Sequence, residues 1–281
     1  MSIVNVSRPG AIVRLATIAV LLGGVACAPV NPPRKVTADG TWIERTDRNF
    51  ELPPTVNRVA VDNPWGEIAA RGRDERAVGL HAVVQRSAPG HARPEFTSRV
   101  DGGTLRITIG FAGSDPADAT SKRGRIDVAV YVPGQLPIAL STRDGRIKVG
   151  RRIGPVEART ASGSIQAVSR GRMVLTSQSG AIRAMAFGKR WSGASTVTTD
   201  TGAIVFAVPT FGDIVLDART TGKLTTRFGL SVHTMPDGIH AAHARYGAGV
   251  SGLTIRSRTG DIALEQMILL GDDTHLPEDD D

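Results

Sequence analysis

Apolar and polar residues alternate in short runs through the second half of the chain. Examples are Val156-Glu157-Ala158-Arg159-Thr160, Met173-Val174-Leu175-Thr176-Ser177, Ile214-Val215-Leu216-Asp217-Ala218 and Leu253-Thr254-Ile255-Arg256-Ser257. A period of two marks strands that bury one face. Each run leads into a turn motif of polar residue, Gly, any residue, then Ile or Leu. Ser162-Gly163-Ser164-Ile165, Ser179-Gly180-Ala181-Ile182, Thr221-Gly222-Lys223-Leu224 and Gly260-Asp261-Ile262 follow these four runs. The motif also stands at Trp65-Gly66-Glu67-Ile68, Asp144-Gly145-Arg146-Ile147 and Thr201-Gly202-Ala203-Ile204. From Gly145 onward the glycines lie 18, 17, 22, 20 and 38 residues apart. Reading Asp237-Gly238-Ile239 as a degraded copy inside the longest gap gives about 19 residues per copy.

Each copy predicts a strand, a tight turn and a strand. Gly66, Gly145, Gly163, Gly180, Gly202, Gly222 and Gly260 are the structural turn residues, on the reasoning that Gly accepts φ > 0 without steric cost. One copy cannot bury its apolar face alone, but copies stacked at the ~4.8 Å strand spacing can. The predicted fold class is all-β: a single-domain parallel β-solenoid, or β-helix, of about 19-residue turns. The alternative is a β-sandwich of ordinary hairpins, which also uses Asp-Gly turns. Longer alternating runs at 56–61, 78–84, 104–109 and 126–132 precede the regular copies and suit N-terminal capping turns. Gly110 to Gly124 reads as an exposed loop.

The N-terminus changes the picture from fold to address. Residues 1–26 have a positive flank (Arg8, Arg14), an apolar run from Leu15 to Val25 and small residues after it. That is the layout of a secretory signal peptide, and the run is shorter than the ~20 residues of a membrane span. Cys27 is the sole cysteine and follows Gly24-Val25-Ala26. The segment resembles a bacterial lipobox, with Gly24 where Leu is usual. The resemblance implies lipidation of Cys27, a membrane partner through that anchor and, with Ala28 next, outer-membrane sorting. Residues 27–54 then read as a lipidated N-terminus and Pro-rich tether, in which 41–52 can add a first strand. Residues 55–270 form the repeat domain, and 271–281 an acidic tail.

Composition narrows the chemistry. Aromatics are 4% of the chain, so Val, Ile, Leu and Ala must build the core. Net charge is +7, carried mainly by arginine. A basic body favours anionic partners, but no basic run with interleaved aromatics supports nucleic-acid binding. His233, His240 and His243 with Asp237 form the one ligand-like cluster, and they fall in loop and strand surroundings rather than on a helix. No metal or cofactor is expected, since HExxH, paired CxxC, Walker and RTX patterns are missing. Ser162 and Ser179 lack the nucleophile-elbow setting. Because polysaccharide enzymes also use parallel β-helices, Asp200, Asp213, Asp217 and Arg219 are the residues an enzyme reading would use.

The chain resembles the exported "putative adhesin" β-strand-repeat family of bacterial envelope lipoproteins. The stretches that carry this are VNRVAVDNPWGEIAARG, GRIDVAVYVPGQLPIALSTRDGRIKV, the SGSI, SGAI and TGAI copies and YGAGVSGLTIRSRTGDIAL, together spanning about residues 55 to 265. The resemblance implies a right-handed β-solenoid at the cell envelope and brings no catalytic residues. The functional expectation is a non-catalytic envelope lipoprotein whose solenoid face binds a glycan, envelope polymer or protein. Outward Thr and Arg rows (Arg159, Thr160, Arg219, Thr220, Arg256, Arg258) are the expected contacts. The alternatives are an enzyme acting on envelope polysaccharide and a scaffold that adds a partner strand near Leu264.

Overall fold

The computed structural model describes residues 34–35, 41–86, 93–114, 124–188, 190–209, 212–227 and 229–267. Cys27, the signal segment and the acidic tail lie outside the described residues. Among the described residues every regular element is a strand. The first eight are β1 (Arg34–Lys35), β2 (Trp42–Glu51), β3 (Arg58–Asp62), β4 (Ile68–Arg73), β5 (Ala77–Arg86), β6 (Pro94–Asp101), β7 (Thr104–Phe111) and β8 (Arg125–Pro133). The next eight are β9 (Ile138–Ser141), β10 (Ile147–Arg152), β11 (Val156–Thr160), β12 (Ile165–Ser169), β13 (Met173–Ser177), β14 (Ile182–Ala186), β15 (Ala194–Thr199) and β16 (Ile204–Pro209). The last six are β17 (Ile214–Thr220), β18 (Leu224–Thr226), β19 (Val232–Thr234), β20 (His240–Arg245), β21 (Ser251–Ser257) and β22 (Ile262–Met267).

They form two 11-stranded sheets. The first has the order β1-β2-β5-β8-β4-β10-β12-β14-β16-β22-β18, and the second β19-β20-β17-β21-β15-β13-β11-β9-β3-β7-β6. From β9 to β16 successive strands go alternately to the second and first sheet. Each pairs in parallel with the strand two places away: β11 with β9 and β13, β12 with β10 and β14. Consecutive strands here do not pair with each other, which removes the hairpin sandwich for this region.

The register aligns like with like. Ile147, Ile165, Ile182, Ile204 and Ile262 stand in one line across the first sheet. Leu140, Ala158, Leu175, Val197, Ile255 and Ala218 stand in another across the second. All are buried. Each large aliphatic side chain so buried contributes roughly 1.5–3 kcal/mol. These facing ladders are the core.

The turns are built differently from the expectation. None of the seven turn glycines has positive φ. Their requirement is steric. A Cβ added at Gly145, Gly163, Gly180, Gly202 or Gly260 would come closer than 3.0 Å to the carbonyl of the glycine stacked before it. The stack leaves room only for hydrogen. A hydroxyl three residues upstream completes each turn by accepting the glycine N–H. Gly163 donates to Thr160 Oγ1 (3.1 Å), Gly180 to Ser177 Oγ (2.8 Å), Gly202 to Thr199 Oγ1 (3.1 Å) and Gly260 to Ser257 Oγ (2.9 Å). The same hydroxyls donate to carbonyls of the neighbouring copy, as Thr160 does to Arg143 O (3.0 Å) and Ser257 to Gly202 O (3.2 Å). Thr160 and Thr220, expected outside, therefore point inward and are buried.

Both ends depart from chain order and from purely parallel pairing. The strands β3 and β4 lie between β7–β8 on one side and β9–β10 on the other. The strands β21 and β22, last in sequence, lie between β15–β16 and β17–β18. Antiparallel strands then cover the outer copies: β6 on β7, β5 on β8, β2 on β5, and β20 with β19 on β17. Gly260 stacks on Gly202, so the long spacing before it is not a missing copy. Gly238 instead has φ of 77° and sits in the β19–β20 hairpin. Leu264, expected at an open end, is buried on β22 with strands on both sides.

Candidate functional site

Alternation sends every second side chain of each strand of the second sheet outward, and parallel register lines them up. One outward line runs Thr108, Asp62, Ser141, Arg159, Thr176, Thr198, Arg256, Arg219 and Ala241. Two residues back, a second line runs Arg106, Ala60, Ala139, Glu157, Val174, Thr196, Thr254, Asp217 and His243. Small side chains leave two hollows on this face, one toward each end.

The hollow at the C-terminal end encloses about 430 Å³ and is lined by Thr198, Asp200, Arg219, Thr221, Arg256 and Arg258, with Ile239 reaching over it from the hairpin. Asp217 lies beside it and fixes two of the arginines: Arg219 Nε donates to Oδ1 and Arg256 Nη2 to Oδ2, both at 3.1 Å. Thr221 Oγ1 donates to Arg258 O (2.6 Å), which pins the turn that carries the third arginine. Arg258 is exposed and makes no ion pair among the described residues. Three guanidiniums, hydroxyls and one lining carboxylate thus converge on an open hollow. Guanidinium forks match carboxylate and phosphate oxygens, and they bind them in parallel pairs of hydrogen bonds.

The second hollow, about 360 Å³, is lined by Ala60, Asp62, Arg99, Arg106, Glu157 and Arg159 among others. Glu157 holds Arg58 at 2.5 Å and Arg159 at 2.7 Å. Asp62 receives a hydrogen bond from Ser141, which favours its charged form, but desolvation in the hollow outweighs this and its carboxyl is held above the ordinary value of 3.8.

The residues singled out by sequence separate clearly. Arg219, Arg256 and Arg258 come together in the C-terminal hollow, while Arg159 lies in the other. Asp200 lines the first hollow, and Asp213 is elsewhere, accepting the Ala248 N–H at 3.1 Å. His240 pairs with Thr234 across the hairpin (Nδ1 to Oγ1, 3.0 Å), and His243 stands opposite Asp217. Among the described residues no three His, Cys, Asp or Glu side chains converge on a metal position. Sequence reading missed Asp62, Arg99, Arg106 and Thr198. Their signal was the outward phase of each alternating run, but the stacking order needed to align them is not local.

One buried cation is spoken for by structure. Arg152 is fully buried and donates to the carbonyls of Val132 (2.9 Å), Pro133 (3.0 Å) and Leu136. Burial without a carboxylate partner lowers its pKa to about 10.

No family model and no curated protein matches the chain. Among solved structures it is similar to a "putative cell adhesion protein" from Clostridium sporogenes ATCC 15579, at 13% identity and a TM-score of 0.47, over 80% of this chain and 100% of that one. It is also similar to a "putative adhesin" from Bacteroides fragilis NCTC 9343 (12%, 0.27, 78% and 96%). A third is a "putative lipid binding protein" from Parabacteroides distasonis ATCC 8503 (11%, 0.27, 80% and 95%). Likeness at this level assigns neither activity nor ligand.

Proposed function

We propose that the chain is a β-solenoid envelope lipoprotein, anchored through Cys27, that binds an acidic glycan or envelope polymer without cleaving it. The observation that carries this reading is the outer face of the second sheet. There, Arg219, Arg256 and Arg258 line an open hollow beside threonine hydroxyls. The strands beneath are locked by parallel ladders and by hydroxyl-to-glycine bonds at the stacked turns, and Asp217 holds Arg219 and Arg256 in place before a ligand arrives. Such preorganisation lowers the ordering cost of binding. The enzyme reading has less behind it: Asp217 is engaged by two arginines and Asp213 by a backbone amide.

The test incubates the detergent-solubilised full-length chain with envelope polymers and a glycan panel, following retention and new reducing ends together. Retention of acidic polymers that weakens with salt, without new reducing ends, supports the reading. New reducing ends that vanish in an Asp200→Asn variant overturn it.

A further inference from the structure

The two hollows share one face, and a line of aligned residues joins them. Arg159 at the edge of one is followed by Thr176 and Thr198, then by Arg256 and Arg219 in the other. Arg159 and Arg256 are three strand spacings apart, about 14 Å at ~4.8 Å each. The intervening Thr176 and Thr198 are bonded to each other (Oγ1 to Oγ1, 3.4 Å), and Thr196 and Thr254 extend the hydroxyls on the parallel line. Each hollow is lined by three arginines: Arg99, Arg106 and Arg159 in one, Arg219, Arg256 and Arg258 in the other. The face is therefore cationic at both ends and hydroxylic between.

We propose that one linear acidic polysaccharide lies along the stack axis and engages both hollows at once. This rests on the binding reading above and names its ligand class and its length. The spacing decides against nucleic acid. A duplex with a negative charge every ~1.7 Å of axis, or one strand with a charge every ~3.4 Å, would set phosphates against Asp62, Glu157, Asp200 and Asp217. No aromatic ring lines either hollow to stack a base. A glycan with separated carboxylates meets arginines at the two ends, and its neutral sugar hydroxyls meet threonines between them.

The probe is a length series of hyaluronan oligosaccharides, whose carboxylated sugars alternate with neutral ones, with the methyl-esterified series as an uncharged match on the same skeleton. The expected result is weak binding of short oligomers and a rise on the order of 10²-fold once one chain spans both hollows, absent from the esterified series. For long oligomers Arg159→Gln or Arg256→Gln each removes that rise. For short oligomers each variant removes binding at its own hollow, so the stoichiometry falls from about two oligomers per chain to about one. Affinity that does not depend on length, with charged oligomers still bound, overturns the spanning proposal and leaves the binding reading standing. No retention of any charged oligomer overturns both. Tighter binding of a single-stranded oligonucleotide than of the longest uronide overturns the glycan assignment.

Discussion

The middle of the molecule and its two ends are made of the same parts and assembled by different rules. From β9 to β16 the order of copies in space is their order in sequence, and each rests on the copy made just before it. At the N-terminal end the first copy, β3–β4, receives β7–β8 on one side and β9–β10 on the other; at the C-terminal end the chain runs outward, turns back through the β19–β20 hairpin and inserts a copy inside one already laid down. Thus β21–β22 separates β15–β16 from β17–β18. The middle is stabilised by near-neighbour contacts. The ends depend on pairings across long stretches of sequence, such as Ala194 with Gly252 and Val59 with Leu105. A repeat motif says what a copy looks like, but not which copy it touches.

The sharpest test of that difference is truncation after residue 250. In a sequential stack this removes only a terminal copy. Here it removes an interior one, and β17 and β18 lose their parallel partners. The expected outcome is loss of amide-exchange protection across 214–245, with β9 to β16 still protected. Protection retained through β17 would break the interleaved description.

Next in size is the effect of side chains on the glycine stack. Gly163→Ala, in the middle, is expected to cost about 3 kcal/mol, since rigid backbone fills the Cβ position. Gly222→Ala, on the outer copy, is expected to cost about 1 kcal/mol, because the neighbouring turn has fewer layers to move. Urea denaturation of the two variants measures both, and equal costs would erase the contrast. Smaller still, Ser177→Ala leaves the buried Gly180 N–H without its acceptor and is expected to cost about 1 kcal/mol in the same assay.

The smallest effect lies at the hollow nearer the N-terminus. Asp62 holds its proton more tightly in the folded chain than in the unfolded one. Stability therefore rises as pH falls through the raised folded value, and the gain is complete below the ordinary value of 3.8. Asp62→Asn is expected to flatten this part of the stability profile between pH 7 and pH 4. An unchanged profile would mean the hollow does not desolvate the carboxylate.

The sequence made the strands legible because alternation is local: Val156-Glu157-Ala158-Arg159-Thr160 shows its buried and outward positions without any neighbour. The turn glycines were also legible by position, though for another reason than the one first assigned. Gly163 is needed because Gly145 lies beneath it, and that contact is visible only once copies are stacked. Thr160 was misplaced outward for the same cause, since it accepts from a glycine three residues on and donates to a carbonyl one copy away. The spacing before Gly260 was read as a hidden copy because evenness along the chain was taken for evenness in space. Arg159 and Arg256 were each visible as outward residues. Their common line was not, because it passes through a pairing of β15 with β21 that no local pattern encodes.

The interleaved C-terminal copy also sets a schedule. A chain made from its N-terminus can stack β9 to β16 as each strand emerges, since every partner already exists. β17 and β18 have no such option, for the strands they pair with in parallel, β21 and β22, are synthesised after them. The final rung therefore acts as a latch: until Ile262 reaches its place beside Ile204, the hollow that holds Arg219, Arg256 and Arg258 does not exist. The hollow is thereby assembled only after residue 262 has been added.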